Sequence, residues 1–255
     1  MFYIEISTIH YYKEVIKVWK VPEEEETKAP PESCWSWRNG FSALYTTRAA
    51  GDMMSSENQA RFLLWASKFL GLPEAGAHLV PDPNATSVVK VVKRPGNYSG
   101  DALITTRHDI RLTALPAGCL IVFMRDKAAG LMGLVHGSRM SLDGKIVEQT
   151  LSQWVDMGGK PRTTEILFAP HVRSCCYVFS AKSPVLQQLG PEWEDALNRL
   201  NGVISLSLKV RALTAYYSRG FYDIHDSGIC VGCQEKFFLN SRDGGQRNLA
   251  AVWLR

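Results

Sequence analysis

Two apolar stretches decide the fold: Ala117-Gly118-Cys119-Leu120-Ile121-Val122-Phe123 and Gly133-Leu134-Val135-His136-Gly137-Ser138-Arg139. Each is a short apolar segment bounded by glycine or proline, which is typical of a strand buried in a covered sheet. Because the polar, glycine-containing turn 125–130 separates them, the two stretches are predicted to form a β-hairpin. In a hairpin of this length, Cys119 and His136 would lie side by side at one end of the sheet.

A thiol beside an imidazole suits two kinds of chemistry. The pair could act as a Cys–His nucleophile, or it could supply half of a zinc site. The simpler alternative is that Cys119 is a small buried apolar residue and that His136 ends a strand before a glycine. Spacing alone leaves these alternatives open.

Short motifs elsewhere in the chain add to this pattern. In chain order they are Thr46-Thr47-Arg48, Glu57-Asn58, Gly100-Asp101-Ala102, Cys119-Leu120, Val135-His136-Gly137, residues 166–170, Cys176-Tyr177-Val178, Cys230, Phe237-Phe238, Arg242-Asp243, Arg247 and residues 251–254. This ordered set, from about residue 40 to the C-terminus, resembles the laccase-domain family, which is also called multicopper polyphenol oxidase-like and purine nucleoside phosphorylase-like. No single motif is specific, but their order is.

The resemblance implies an α+β fold with layered mixed β-sheets flanked by helices, the cysteine hydrolase-like fold of the family, in a single domain. The sequence agrees, because strands and helices are mixed without regular βαβ alternation. Residues 33–255 are predicted to form this core. Residues 1–32 are predicted to be an N-terminal extension that ends in an acidic loop rich in Pro and Glu.

Periodicity and capping residues predict the individual elements. Helices are expected from residue 55 or 56 to 70, from 143 to 157, from 183 to 200 in two pieces, and from 207 to 218. Strands are expected over 41–47, 87–92, 165–169, 221–225 and 250–254. His171 and His225 are expected to be surface histidines.

In the family that the chain resembles, a His–Cys–His set holds a metal ion, usually zinc, beside a substrate pocket. Cys119 and His136 match the second and third members of that set. Asn84 falls where the first histidine belongs, and the only nearby substitute is His78, six residues earlier. Because a neutral amide oxygen is a poor zinc ligand, we expect no zinc or weak zinc binding at this position.

Other positions also depart from the family pattern. The acidic residue before the family's cysteine is Gly118, and an arginine of the family falls on Met140, although Arg139 lies beside it. A glutamate of the family is Val178, and the first of two arginines near the C-terminus is Ser241. Because each lost polar group can cost a large factor in rate, these departures together indicate a degraded site.

Two functions therefore remain. The favoured prediction is a degenerate laccase-domain protein that serves as an interaction or structural subunit of a larger complex, such as a ribonucleoprotein, with protein partners that the sequence does not identify. The alternative is an active enzyme that performs zinc-assisted phosphorolysis or deamination of a purine nucleoside, or oxidation of phenols. In that case Cys119, His136 and Arg48 would be catalytic, and Arg139, Arg242 and Arg247 would bind substrate and phosphate.

Cys230-Val231-Gly232-Cys233 is a rival site, because a CxxC motif can form half of a zinc site or a redox pair. Its second half could only come from Cys175-Cys176 or from Cys34, and neither has the usual spacing. The sequence therefore favours the pair formed by Cys119 and His136.

Composition sets the remaining limits. The 255 residues are 45% hydrophobic and 21% charged, with a net charge of +4, which fits a globular domain and lacks the clustered basic residues of a nucleic-acid surface. Six cysteines are too few for a disulfide scaffold, so an intracellular location, cytoplasmic or mitochondrial, is expected. No apolar run is long enough to span a membrane.

Overall fold

The computed structural model describes residues 34–39, 41–81, 87–200 and 202–254. The predicted N-terminal extension and Asn84 lie outside these described residues.

Two six-stranded mixed sheets form the centre of the described fold. The first sheet, in spatial order, consists of β1 (Cys34–Asn39), β2 (Phe41–Thr46), β15 (Ala250–Trp253), β7 (Arg111–Ala114), β3 (Gly76–Val80) and β5 (Gly96–Ser99). The second sheet consists of β14 (Ile224–Asp226), β10 (Thr164–Phe168), β8 (Leu120–Asp126), β9 (Leu131–Gly137), β6 (Ala102–Thr105) and β4 (Val89–Val91). A three-stranded sheet consists of β11 (Val178–Ser180), β13 (Val203–Leu206) and β12 (Leu197–Leu200).

The described α-helices are α1 (Ser56–Leu70), α2 (Arg139–Asp143), α3 (Ile146–Asp156), α4 (Pro184–Gln187), α5 (Leu208–Ser218) and α6 (Asn240–Asp243). Helices α2 and α3 pack against β9 of the second sheet. As predicted, Ser55 caps α1 by accepting a hydrogen bond from the Asn58 amide, and Gly71 ends the helix in the left-handed conformation. None of the described helices combines the length and apolar character needed to cross a membrane.

The alternation of side chains along β15 shows how the layers are built. Ala250 and Val252 belong to the large core between the two sheets, whereas Ala251 and Trp253 belong to a second core on the opposite face. Phe62 of α1 belongs to that second core, so α1 covers the outer face of the first sheet. Each of the two faces of β15 is thus buried against a different layer. The prediction of an α+β fold with layered mixed sheets flanked by helices is therefore confirmed.

The predicted hairpin lies at the middle of the second sheet. Strands β8 and β9 pair antiparallel from Leu120 opposite Gly137 to Asp126 opposite Leu131. All seven residues of β9 are buried, with α3 packed on the outer face. Burial on both faces explains why both strands read as continuous apolar runs rather than as alternating patterns.

Two local predictions were wrong. Residues 197–200, predicted to be helical, form β12, because pairing of Leu197 with Leu206 overrides the local helical preference. His171, predicted to be on the surface, is fully buried, and its Nδ1 lies 2.8 Å from the Ala169 carbonyl oxygen. His225, also predicted to be on the surface, has 34% of its side chain exposed.

A buried carboxylate holds the closed end of the hairpin. Asp126 Oδ1 accepts hydrogen bonds from the amides of Ala128 and Ala129, and Oδ2 accepts from the Lys160 amide and the Thr163 hydroxyl. Burial would raise the pKa of Asp126, but these hydrogen bonds outweigh burial and lower the pKa below its usual value.

We predict that Asp126→Asn destabilises the protein by about 2 kcal/mol near neutral pH, because an amide cannot accept all four hydrogen bonds. The folded-state pKa lies below the unfolded one, so this stabilisation is present above the unfolded pKa and is lost as pH falls through the folded pKa. Urea unfolding of both proteins should therefore show a difference that shrinks in acid. The exposed Asp156→Asn is the matched control, and an equal loss in that variant would contradict the assignment.

Candidate functional site

The structure brings Cys119 and His136 together, as the hairpin predicts. Cys119 lies directly before β8, and His136 is opposite Ile121 near the end of β9. Their side chains lie close enough for each to shift the pKa of the other. Cys119 is partly accessible while His136 is buried, so the thiol is the more accessible member of the pair.

Asp101 completes the arrangement from the neighbouring strand. Its Oδ1 lies 3.3 Å from His136 Nδ1, and its carbonyl oxygen accepts the His136 amide hydrogen bond at 2.8 Å. Asp101 precedes β6, which pairs with β9, so the sheet sets its position. A thiol, an imidazole and a carboxylate in series form the constellation of an activated nucleophile or of a proton-transfer site.

The pair favours its charged form. Burial would raise the pKa of Cys119, but the His136 ring and the more distant Arg247 guanidinium outweigh burial and lower that pKa below its usual value. Burial would lower the pKa of His136, but the Cys119 thiolate and the Asp101 carboxylate raise it to about 9. The two pKa shifts therefore both favour the thiolate–imidazolium form of the pair.

Gly118 explains one departure from the family pattern. Its φ of +117° is in a region that residues with a Cβ rarely adopt, and an added Cβ would lie 2.7 Å from Cδ1 of Leu239. The Gly118 carbonyl oxygen accepts a hydrogen bond from the Val172 amide at 2.8 Å. Packing of residues 172 and 239 against this turn leaves no room for an acidic side chain.

Two tyrosines and two arginines surround the pair. Burial and the charge of Cys119 raise the pKa of Tyr45, whose hydroxyl accepts a hydrogen bond from Asn248. The same two causes raise the pKa of the half-buried Tyr177, while Arg139 lowers it. Arg139 and Arg247 are thus the two predicted substrate-binding arginines that interact electrostatically with Cys119 or with a residue beside it.

Arg48 and Arg242 have different surroundings. Both guanidinium groups form ion pairs with Asp243, which lowers the pKa of that carboxyl group to about 2, first through the Arg48 hydrogen bond. Arg48 also donates to the Glu235 carbonyl oxygen and lies 4.6 Å from the centre of the Phe238 ring. The structure therefore places these two predicted site residues in an ion-pair cluster near the C-terminus.

The described residues do not by themselves provide a complete zinc site at Cys119. A catalytic zinc ion takes three protein ligands, and Cys119 and His136 supply two. His78 lies on β3 in the other sheet, with Nδ1 3.1 Å from the Thr113 hydroxyl oxygen, and among the described residues it forms no close ligand group with Cys119 and His136. The position of Asn84 lies outside the described residues.

Two further cysteines lie beside the CxxC motif in the folded structure. Cys175, Cys176, Cys230 and Cys233 form a group whose sulfur atoms all lie within 4.8 Å of one another. Cys34 is not part of this group. The sequence spacing disfavoured the cluster, because Cys176 and Cys230 are 54 positions apart in the chain. The parallel bridge between His171 and Cys230 and the hydrogen bond from the Arg173 amide to Cys230 Sγ bring the two segments together.

Sequence reasoning gave no role to Asp101, Tyr45 or Tyr177. A single acidic residue directly before a fully buried strand is the signal that could have identified Asp101, since such a carboxylate needs a partner. No comparable signal exists for the tyrosines, because an aromatic residue in a core strand most often only packs.

Solved structures share this architecture. Hypothetical protein YfiH of Bacillus licheniformis superposes with a TM-score of 0.74 at 19% identity, covering 88% of this chain and 97% of that one. YlmD of Geobacillus stearothermophilus gives 0.71 at 22% identity, covering 91% and 98%. These likenesses define the class: the chain has the layered α+β fold of the YfiH-type proteins.

The sequence comparisons specify the family. The family profile described as "Multi-copper polyphenol oxidoreductase laccase" matches residues 40–255, and the chain belongs to this family. Proteins named purine nucleoside phosphorylase are similar to it: 26% identity over 162 residues in Borreliella burgdorferi, and 29% over 170 residues in Deinococcus radiodurans. These alignments cover 60% and 64% of this chain, and 68% and 64% of the relatives. The resemblance noted from the motifs is thus confirmed.

We predict that the partly accessible Cys119 reacts with iodoacetamide near neutral pH and that His136→Asn slows this reaction about tenfold or more, because the thiol then loses the charge that lowers its pKa. Labelling followed by peptide mass spectrometry measures the rate at Cys119 alone. The rate in the variant should recover as the pH is raised. The exposed His108→Asn is the control, and an unchanged rate in His136→Asn would show that the pair is not ionised.

Proposed function

We propose that this protein catalyses the phosphorolysis of a purine nucleoside at the pocket that contains Cys119 and His136. The observation that carries the proposal is the series Cys119–His136–Asp101, in which Cys119 and Asp101 raise the pKa of the His136 imidazole to about 9 and lie on either side of it. The names of the similar proteins support the choice of reaction.

Phosphorolysis requires one proton to move. A phosphate oxygen forms a bond to C1′ of the ribose while the bond from C1′ to the purine nitrogen breaks, and the electron pair of that bond goes to the purine. The proton of hydrogen phosphate must then reach the purine nitrogen. His136 is suited to donate a proton to the leaving base and to regain one from phosphate, because its pKa of about 9 keeps it protonated.

The other groups would position the reactants. Asp101 fixes the orientation of the His136 ring through Nδ1. Tyr177 offers a half-buried aromatic ring beside the thiolate, which suits stacking with a purine. Arg139 and Arg247 are the cations near the pair and are suited to bind phosphate.

A scaffold function is the second candidate. The observation that favours it is the pairing of Arg48 and Arg242 with Asp243, which leaves two of the four predicted site arginines engaged in intramolecular ion pairs. In that case the fold would serve as a subunit of a larger assembly, and loss of the Cys119 thiol would change stability alone.

We predict that the purified protein releases purine from inosine or adenosine only when phosphate is present, as measured by chromatography of the free base. His136→Asn and Cys119→Ser should each lower kcat/KM by a factor of about 10² or more, because the proton donor or its stabilising charge is lost. The rate should also fall as the pH rises through about 9, where His136 loses its proton.

His108→Asn is the matched control, because this residue is exposed in a turn and should leave the rate unchanged. Base release without phosphate, or equal rates in all three variants, would contradict phosphorolysis at this pocket. Failure of the folded wild-type protein to act on any purine nucleoside would favour the scaffold function.

A further inference from the structure

We propose that Cys175, Cys176, Cys230 and Cys233 bind one structural zinc ion, separate from the pocket at Cys119. The four side chains come from two short turns, one before β11 and one before α6. All four thiols are free of disulfide bonds, and their sulfur atoms lie within 4.8 Å of one another. Four thiolates in one place are the ligand set that zinc prefers for structural sites.

The sulfur spacing fits a single ion. A zinc–sulfur distance of about 2.3 Å places the sulfurs of a tetrahedral site about 3.8 Å apart. Here Cys233 Sγ lies 3.4 Å from Cys175 Sγ and 3.3 Å from Cys176 Sγ. Only a small outward movement of the side chains is needed to admit the ion, whereas a multi-iron cluster holds its cysteines at separate corners, farther apart.

The backbone around Cys230 is arranged to support a thiolate. The Arg173 amide donates a hydrogen bond to Cys230 Sγ at 3.4 Å. Amide–sulfur hydrogen bonds of this kind stabilise the charge of a metal-bound thiolate. Cys230 is buried while Cys175 and Cys233 are exposed, so an ion can enter from the surface.

Gly232 allows the two turns to approach each other. A Cβ at this position would lie 2.5 Å from Cys176 Cβ and 2.9 Å from Cys176 Sγ. Such contact distances are not tolerated, so any side chain at position 232 would push the two halves of the cluster apart. The glycine of the CxxC motif is thus explained by the approach of Cys176 rather than by a turn alone.

The position of the cluster indicates what the ion does. Cys230 pairs with His171 in a parallel bridge, and the Val231 amide donates to the His171 carbonyl oxygen at 3.1 Å. Val172, which follows His171, donates its amide hydrogen bond to the carbonyl oxygen of Gly118, and Gly118 directly precedes Cys119. On the other side, Cys176 is followed by Tyr177, whose pKa is raised by burial and by the charge of Cys119. The ion would therefore fix two segments that lie beside Cys119.

Binding of zinc to the four thiols releases protons. Four thiols and one Zn²⁺ give a tetrathiolate complex of charge −2 and up to four protons, so affinity should rise with pH. Arg242 donates to the Gly232 carbonyl oxygen and places a positive charge beside the complex. No redox partner is needed, since zinc and the thiolates keep their oxidation states.

The test is the metal content of the full-length protein, purified under reducing conditions and supplied with zinc. We expect about one zinc ion per chain by elemental analysis, retained in Cys119→Ser and in the control Cys34→Ser. Cys233→Ser and Cys175→Ser should each lower the bound zinc about tenfold or more after dialysis against a competing chelator. Zinc that is lost in Cys119→Ser but retained in Cys233→Ser would overturn the proposal.

A second measurement uses the wild-type protein and therefore does not depend on whether the variants fold. Cobalt substituted into the wild-type protein should give intense sulfur-to-metal charge-transfer absorption typical of four thiolates in a tetrahedral site. Weak absorption with mixed nitrogen and sulfur ligands, or disulfides among these four cysteines in place of a metal, would overturn the assignment. Gly232→Ala should reduce zinc retention, and Gly245→Ala, where an added Cβ contacts nothing within 4 Å, is its matched control.

Discussion

The register between β8 and β9 is the constraint on which the site depends. Because successive side chains on a strand point to opposite faces, a shift of one residue would turn His136 away from Cys119 and Asp101. The buried apolar residues on both faces fix that register, and the four hydrogen bonds to Asp126 close its far end. The chemistry at one end of the hairpin thus follows from packing along its whole length.

Burial and charge act in opposite directions at the open end of the hairpin. Removal of Cys119 and His136 from water disfavours their charged forms, but each supplies the charge that the other lacks, and Asp101 adds a second negative group. The Asp101 Oδ2 atom is buried and has no hydrogen-bond partner. A carboxylate held in this way contributes its charge to His136, which suits proton transfer better than structural support.

The ion pairs of Asp243 and the group of four cysteines both use residues near the C-terminus. Asp243 gathers Arg48 and Arg242 beside Phe238, and Arg242 also reaches the carbonyl oxygen of Gly232. The described segment between β14 and β15 contains one short helix, and it is held by these ion pairs, by the hydrogen bonds between Asn248 and Phe238 and by the burial of Phe237. The same segment contributes Leu239, which packs against Gly118 directly before Cys119, so the order of this segment and the position of Cys119 are linked.

The sequence by itself determined the hairpin, the capped helix α1, the α+β class and the pairing of Cys119 with His136, because local periodicity and turn residues are sufficient for elements that are close in the chain. Tertiary structure alone decided the rest. Long-range pairing turned residues 197–200 into a strand, joined Asp101 to His136, diverted Arg48 and Arg242 to Asp243, and brought Cys175 and Cys176 to the CxxC motif. Most of these contacts join residues that are far apart in the chain, and a local pattern does not encode which distant residue a side chain will meet.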